Sequence, residues 1–250
     1  DIVVWSPGRG DALDGSADDM SVRAQAWVHS ALELVQAWQA EERVSGSRLV
    51  VVTRGAVSVS GESPDPAGAA VWGLMRSAQS EHPGRFVLVD VGADEDVTAD
   101  IVAAVVRADE PQQAVRDGRL RAPRLRRHSA PAPATPSPLG TGAVLITGGT
   151  TGLGAAVARH VVDAYDVRRL VLVSRRGERG DGAAELVRDL AAAGAQVRVE
   201  ACDVSDRAAV AGLLTGLPAE FAPSAVIHSA GVLDDGTIET LTGEQLDRVM

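Results

Sequence analysis

The chain has 250 residues, 45% of them hydrophobic and 23% charged, a composition typical of a globular protein with a buried core. The formal net charge of −10 argues against a nucleic-acid partner, and no apolar run reaches the roughly 18 to 20 residues of a membrane-spanning helix. The one cysteine, Cys202, excludes an internal disulfide and predicts a reducing, cytoplasmic location. Because the chain opens on a strand pattern without methionine or leader, we expect it to be part of a longer polypeptide.

In residues 1–127, short Val-rich runs predict buried strands, and the amphipathic stretches between them predict helices. The predicted strands are residues 2–5, 49–53 and 86–91, and the predicted helices are residues 22–39, 67–80 and 98–106. Residues 116–127 predict one or two closing strands, whose arginines either dock a partner or protect a sheet edge from aggregation. Strand alternating with helix favours a parallel sheet in an α/β arrangement.

Residues 128–142 predict a linker, because repeated prolines remove backbone donors and favour extended backbone. The same alternation of strand and helix returns in residues 143–250. The predicted strands are residues 143–147, 170–174, 196–201 and 225–229, and the predicted helices are residues 153–164, 183–193 and 206–214. Asp181 and Asp206 are predicted to cap helix starts, and Gly194 is predicted to end a helix.

A glycine-rich turn follows the first strand of this second half. It consists of Thr147, Gly148, Gly149, Thr150, Thr151, Gly152, Leu153 and Gly154. Glycine permits a tight turn and lets the backbone approach a pyrophosphate, and the next helix directs N–H groups at the phosphates. The order strand, turn, helix therefore predicts a dinucleotide site rather than an ordinary glycine-rich turn.

The ends of the next three strands contribute residues to the same crevice. They are Ser174, Arg175 and Arg176, then Cys202, Asp203 and Val204, then His228, Ser229, Ala230 and Gly231. Arg175 and Arg176 occupy the place of the acidic residue of an NAD site, and guanidinium groups suit a 2′-phosphate. They predict NADPH as the cofactor, unless they are only solvated surface arginines. Asp203 is interpreted equally well as an adenine contact and as a helix cap.

The small residues at 229–231 leave room for the backbone to pass beneath a nicotinamide ribose. His228 predicts no metal site, because no cysteine or second histidine stands at ligand spacing.

These motifs together resemble the short-chain dehydrogenase/reductases and, more finely, the ketoreductase domain of modular type I polyketide synthases. The resemblance is carried by residues 147–150, 174–176, 201–204 and 228–236. Residues 72–83 resemble the structural subdomain of that family. The resemblance implies a Rossmann-like doubly wound parallel sheet in residues 143–250. It also implies a truncated Rossmann-like subdomain without a cofactor loop in residues 1–127.

The resemblance further implies NADPH-dependent reduction of a β-ketoacyl chain on an acyl carrier protein, beside other polyketide synthase domains. Leu233, Asp234 and Asp235 are similar to the B-type motif of the family, which implies a D-hydroxy product. The alternative interpretation is a polar loop that leads through Gly236 and Thr237 into the next helix.

No catalytic residue is assigned in this chain, although the resemblance implies a catalytic Ser, Tyr, Lys and Asn. The sequence contains no Lys and no Asn, and its one tyrosine, Tyr165, with Arg169 four residues later, follows the wrong helix. We therefore predict a structural and cofactor-binding portion that is inactive alone. The alternative hypothesis is a non-catalytic dinucleotide-binding or docking module with the reductase fold. The first half argues against a different short-chain reductase.

Overall fold

The computed structural model describes residues 2–7, 17–127 and 139–250. Contacts divide the chain into two units, the first Asp1–Arg127 with Leu233–Met250 and the second His128–Val232. Most of the predicted linker, residues 128–138, lies outside the described residues. The sequence-based division assigned residues 233–250 to the second half, whereas in the structure they pack with the first unit. No helix among the described residues has the length and apolarity to cross a bilayer.

The first unit is built on a five-stranded sheet whose strands pair in chain order. They are β1 (Ile2–Trp5), β2 (Arg48–Arg54), β3 (Phe86–Val91), β4 (Gln112–Arg116) and β5 (Arg119–Arg121). The first four strands are parallel, and β5 returns antiparallel to β4. The turn between β4 and β5 places Asp117 and Gly118 at positive φ, which permits the tight reversal.

Three helices of the first unit cover both faces of this sheet. They are α1 (Ala17–Ala40), α2 (Pro66–Glu81) and α3 (Ala99–Ala108). The helices α1 and α2 bury apolar residues such as Met75 against Val51 and Leu88 of one face. The helix α3 covers the opposite face, where Val105 packs with residues such as Val50. Since side chains alternate along a strand, each strand supplies both layers of the core.

The second unit is a four-stranded parallel sheet. Its strands are β6 (Ala143–Thr147), β7 (Arg169–Ser174), β8 (Gln196–Ala201) and β9 (Pro223–His228), and its helices are α4 (Gly152–Tyr165), α5 (Ala183–Ala192) and α6 (Arg207–Gly216). The strands pair in the order β8-β7-β6-β9, so β7 and β8 lie on one side of β6 and β9 lies on the other, which makes β6 the point where the strand order switches. Ligands of open α/β sheets bind at the carboxyl ends of the strands, beside the point where the strand order switches.

Helices lie on both faces of this second sheet as well. The helices α4 and α5 pack on the face of Ile146 and Leu172, and α6 packs on the face of Leu145 and Val173. This arrangement is the doubly wound parallel sheet that the sequence predicts, and the predicted fold class is confirmed.

The helix ends of the second unit match the predictions in part. Asp206 caps α6, because its carboxylate accepts hydrogen bonds from the N–H groups of Ala208 and Ala209, at 2.8 and 3.1 Å. Gly194 has a φ of +88° just beyond α5, as a helix-ending glycine requires. The predicted cap Asp181 is wrong. Gly182 takes the N-cap position of α5 at positive φ, and this turn leaves the Asp181 carboxylate free to pair with an arginine instead.

The last described helix, α7 (Gly243–Val249), lies in the first unit, where it contacts α1. It begins six residues beyond the predicted entry at Thr237, because Thr242 and Gln245 form a reciprocal capping box. In the segment that leads to α7, Ile238 is 2% exposed and packs in the core beneath α1 and α2.

Candidate functional site

Three glycines shape the turn between β6 and α4, each for a different reason. Gly148 has a φ of +64°, and a Cβ there would lie 2.9 Å from the backbone nitrogen of Ala230. A Cβ on Gly154 would overlap the carbonyl oxygen of Gly148, so α4 packs directly on the turn. Gly152 has a φ of +51°, and a Cβ there would meet nothing within 4 Å, which leaves open space beside the backbone. Tight turn, close helix packing and open approach are the properties that a pyrophosphate loop requires.

The start of α4 is free to receive an anion. Thr151 occupies the N-cap position, but its side chain accepts no hydrogen bond from the first turn. The first helical hydrogen bond joins the N–H of Ala155 to the carbonyl of Thr151 at 3.2 Å. Leu153 is exposed, whereas Thr150 is buried beneath the turn. The positive end of the α4 dipole therefore has no side-chain cap from Thr151.

The hydroxyl of Thr147 ties the ends of β6 and β9 together. It accepts hydrogen bonds from the backbone N–H groups of Ser229 and Ala230, both at 3.1 Å. The same oxygen lies 2.7 Å from Nδ1 of His228. The hydroxyl thus bonds to three partners at the end of β9. This bond network fixes residues 228–230 against the turn that follows β6.

The residues at the end of β7 are not equivalent. Ser174 accepts a hydrogen bond from the N–H of Gly177 at 3.0 Å, which closes the turn. Arg176 pairs with Asp181 at 3.0 Å on the surface. Arg175 is exposed and makes no ion pair with any residue that the structure describes. The free guanidinium of Arg175 is therefore the better candidate for a phosphate contact.

Asp203, at the end of β8, is held by its own turn. Its carboxylate accepts hydrogen bonds from the hydroxyl of Ser205 at 2.7 Å and from its N–H at 3.0 Å. These bonds, with a smaller contribution from the charge of Arg175, lower the pKa of Asp203 below its ordinary value. Asp206 caps α6, so the interpretation of Asp203 as that cap is wrong. Its contact with an adenine stays a prediction.

The neighbours of Asp203 have packing roles. Burial and the nearby carboxylates of Asp203 and Asp206 raise the pKa of the Cys202 thiol, so this cysteine is protonated and unreactive at neutral pH. Val204 is partly buried against the face that α6 covers.

Leu233, Asp234 and Asp235, the predicted stereocontrol residues, lie in the first unit. Asp234 accepts a hydrogen bond from Nε2 of Gln245 at 3.0 Å and pairs with Arg248. Leu233 is 90% exposed, and Asp235 is exposed as well.

Tyr165 ends α4, where its ring meets His160 edge-on at a centroid distance of 5.8 Å. Since α4 starts at the carboxyl edge of the sheet and runs back along it, Tyr165 lies at the amino edge. Arg169 donates instead to the carbonyl of Thr141 at 2.8 Å. Tyr165 and Arg169 therefore lie away from the glycine-rich turn between β6 and α4.

Sequence analysis missed two residues that support the site. One is Ser205, whose place two residues after Asp203 is the spacing of an Asx turn and was the available signal. The other is Gly177, where a Cβ would lie 2.9 Å from that of Ala201, so only glycine fits beneath β8.

At the corresponding edge of the first unit, a buried ion pair joins the ends of two strands. The carboxylate of Asp90, at the end of β3, is fully buried and pairs with Arg116 at 2.7 Å. It also accepts hydrogen bonds from the hydroxyl of Thr53 and the N–H of Ala56, each at 2.7 Å. These internal bonds hold the ends of β2, β3 and β4 together. Among the described residues of the whole chain, no cluster of His, Cys, Asp and Glu could hold a metal ion.

Two family models match the chain. The model described as polyketide synthase extender module SpnB, Rossmann fold domain, matches residues 1–125, and the KR domain model matches residues 142–250. Polyketide synthase GfsE of Streptomyces halstedii is 48% identical over 269 residues, which cover 99% of this chain and 7% of that protein. The spectinabilin polyketide synthase system protein NorA' of Streptomyces orinoci is 51% identical over 220 residues, 88% of this chain and 6% of that protein.

Solved structures agree with these matches. A structure of A-type ketoreductases from a modular polyketide synthase aligns with a TM-score of 0.77 and 39% identity, over 89% of this chain and 48% of that one. The first ketoreductase of the tylosin polyketide synthase aligns with a TM-score of 0.75 and 31% identity, over 99% of this chain and 64% of that one. The chain thus spans about half to two thirds of these structures and under a tenth of the two curated relatives.

Proposed function

This chain belongs to the ketoreductases of modular polyketide synthases, and from that premise we propose that it holds the structural and NADPH-binding portion of such a domain. The complete domain would reduce a β-ketoacyl group carried by an acyl carrier protein. One observation carries the proposal, which is that three features lie at the carboxyl edge of one sheet. They are the open backbone at Gly152, the start of α4 without a side-chain cap, and Arg175 without an ion pair in the described part of the chain. Ligands of this fold class bind at that edge.

The described residues fit a nicotinamide dinucleotide along its length. The pyrophosphate would lie over Gly152 at the start of α4, and Arg175 would hold the 2′-phosphate of the adenosine ribose. The ionised Asp203 would accept from the adenine amino group. The backbone at Ser229–Gly231, which Thr147 fixes, would pass beneath the nicotinamide ribose. Bound there, the nicotinamide would supply the hydride for carbonyl reduction.

Partners and product follow from the same premise. The substrate would arrive on an acyl carrier protein, and other polyketide synthase domains would be neighbours in a cytoplasmic polypeptide. Neither nucleic acid nor membrane is a proposed partner. The motif Leu233, Asp234 and Asp235 supports a B-type reductase with a D-hydroxy product.

A second candidate function is a non-catalytic dinucleotide-binding or docking module. The observation that favours it is the absence of Lys and Asn from the 250 residues, together with a single tyrosine at the far edge of the sheet. Such a module would retain the fold and the cofactor site without a proton donor.

Two measurements test the proposal. Titration calorimetry on this chain should show NADPH binding that is tighter than NADH binding, and no binding of either would refute the cofactor assignment. A longer polypeptide that carries this sequence with the remainder of the ketoreductase should oxidise NADPH when given a β-ketoacyl thioester. Cofactor binding without turnover in that polypeptide would favour the non-catalytic module.

A further inference from the structure

The segment after the Leu233–Asp235 motif is held by two polar side chains of α1 and α2. The side-chain amide of Gln36 donates to the backbone carbonyls of Ile238 and Leu241, at 3.0 and 2.8 Å. The carboxylate of Glu81 accepts the N–H of Ile238 at 2.7 Å. The side chain of Ile238 is 2% exposed between these helices. Because three of these contacts involve backbone atoms, they fix the path of the chain and not only the position of a side chain.

The helix α7 is fixed to the same unit by a second set of contacts. Nε2 of His29, on α1, lies 2.7 Å from a carboxylate oxygen of Asp247. A Cβ on Gly243 would lie 2.8 Å from Cε1 of His29, so α7 begins in close contact with α1. The capping box of Thr242 and Gln245 sets where α7 starts.

The motif itself is joined to α7 by its middle residue. Asp234 accepts a hydrogen bond from Gln245 at 3.0 Å and pairs with Arg248. Its neighbours Leu233 and Asp235 are exposed, and Asp235 makes no hydrogen bond or ion pair within the described ranges. The loop from Asp234 to Ile238 is therefore held at both ends by α1, α2 and α7, while two of its three motif side chains face solvent.

We infer that Gln36 and Glu81 are positioning residues for the Leu233–Asp235 loop, acting through the backbone of Ile238. Within the motif, Asp234 fixes the loop, whereas Leu233 and Asp235 are exposed. The selectivity part of this inference rests on the proposed reductase function. Its physical basis is that removal of either polar group leaves buried backbone atoms of Ile238 without a partner, which releases the loop from its path.

The first test measures hydrogen exchange at the amide of Ile238 in the longer polypeptide. In Glu81→Leu the acceptor is lost, and exchange should accelerate by about tenfold or more relative to the parent. Glu81→Gln keeps an acceptor oxygen and should stay within about threefold of the parent. The matched control is Glu33→Leu, since Glu33 is exposed on α1 and should leave Ile238 unchanged. Unchanged exchange in Glu81→Leu would overturn the inference.

The second test measures the ratio of hydroxy epimers, together with kcat, KM and NADPH affinity. Gln36→Leu and Glu81→Leu should reduce the excess of the predominant epimer by about tenfold and raise KM more than they lower kcat. NADPH affinity should be unchanged, and Glu81→Gln should restore the ratio. Gln25→Leu, on the same helix, is the control for Gln36. Faster exchange with an unaltered epimer ratio would overturn the positioning role.

A surface variant keeps the inference testable if the buried variants do not fold. Arg248→Met breaks the pair with Asp234 at an exposed position and should also lower the epimer ratio. An unchanged ratio in Arg248→Met would count against the role of Asp234. Failure of the parent polypeptide to reduce any β-ketoacyl thioester would refute the proposed function, while the exchange at Ile238 would still decide whether Gln36 and Glu81 hold the segment.

Discussion

Arg175 and Arg176 are adjacent in the sequence but differ in what they contact. Arg176 pairs with Asp181, whereas Arg175 forms no ion pair among the residues described and only its charge acts on Asp203. A cation at the carboxyl edge without an internal partner is available to a ligand, and the sequence alone could not separate the two arginines. The sequence predicts both arginines as partners of a 2′-phosphate. The structure adds that they differ in their protein contacts.

We predict that Arg175→Ala weakens NADPH binding by about 10- to 100-fold, because a charge-assisted hydrogen bond contributes about 1.5 to 3 kcal/mol. NADH binding should hardly change, since NADH has no 2′-phosphate. Calorimetric titration of both cofactors measures the difference. Arg188→Ala, an exposed arginine on α5, is the control. An equal loss of affinity for both cofactors would mean that Arg175 is only structural.

Thr147 shows how a single hydroxyl can organise a site. It satisfies two backbone N–H groups and His228 at once, and it is almost fully buried. The glycine pattern predicts Thr147 as part of the phosphate turn. It does not predict the bond to His228, which is 81 residues away and depends on the pairing of β6 with β9.

We predict that Thr147→Val destabilises the second unit by about 1 to 3 kcal/mol, because the N–H of Ala230 then loses its acceptor and that of Ser229 keeps only the backbone carbonyl of residue 147. Valine keeps the shape of threonine, so the loss reports the hydroxyl. Urea denaturation of the chain measures the change, with Thr147→Ser as the control that keeps the oxygen. Equal stability of the valine and serine variants would show that the bond network adds nothing.

At the scale of elements, periodicity in the sequence predicted most strands and helices correctly and failed where burial is polar. The strand β4 contains Gln113, which is 2% exposed and donates to the carbonyls of Val105 and Glu110. A buried glutamine gives no hydrophobic pattern, so the sequence placed the closing strands at 116–127 instead. Only β5 forms there as a separate strand, and residues 122–127 have no regular structure.

The loop after β2 is held by a carboxylate whose ionisation depends on the fold. Glu62 accepts hydrogen bonds from its own N–H and from those of Ser60 and Val59, and it pairs with Arg116 of β4 at 3.0 Å. Together these contacts lower the pKa of Glu62 to about 2. Because the folded-state pKa is below the unfolded value of about 4.3, the ionised group stabilises the fold above that value.

We predict that this contribution disappears as the pH falls from about 4.3 through about 2, where Glu62 becomes protonated in the folded state too. The measurement is the urea midpoint of the parent and of Glu62→Gln between pH 6 and pH 2. The parent should be the more stable at pH 6, and the two curves should converge toward pH 2. A constant difference across this range would contradict the prediction.

At the scale of the whole molecule, the family predicted from the motifs is confirmed by the models that match residues 1–125 and 142–250. The motifs were informative because the fold forces glycine and small residues at fixed positions of the turn. Side-chain bonds between distant segments, such as Asp90 to Arg116 or Glu81 to Ile238, have no sequence signature. They depend on the tertiary packing and appear only in the structure.

We predict that this 250-residue chain alone shows no reductase activity, because it has no lysine and its one tyrosine lies at the amino edge of the second sheet. A general acid with a tuned pKa is needed to protonate the ketone oxygen. NADPH oxidation with a β-ketoacyl thioester should remain at background, although NADPH should bind. Turnover that persists through repurification would show that Tyr165 had been misassigned.

We predict a D-hydroxy product from the longer polypeptide and a partial loss of selectivity in Asp235→Ala. A preference of about 1.4 kcal/mol for one of the two orientations of the bound ketone gives only a tenfold excess of one epimer. One carboxylate therefore does not account for a strictly selective reduction. Chiral chromatography of the reduced thioester measures the outcome. The control is Asp96→Ala, an exposed carboxylate between β3 and α3. A predominantly L-hydroxy product would contradict the B-type assignment.

The return of residues 233–250 to the first unit has a consequence for how the chain folds during synthesis. The part of the second unit within this sequence is continuous, and all of it has left the ribosome before α7 is made. The first unit begins earlier but must wait for α7, because the contact of His29 with Asp247 spans 218 residues. Contacts between residues so far apart in the sequence are slow to form, since the intervening chain loses entropy when the loop closes. Until this segment emerges, the apolar surface of α1 and α2 that Ile238 covers stays exposed, so the first unit is still incomplete when residues 128–232 have been made.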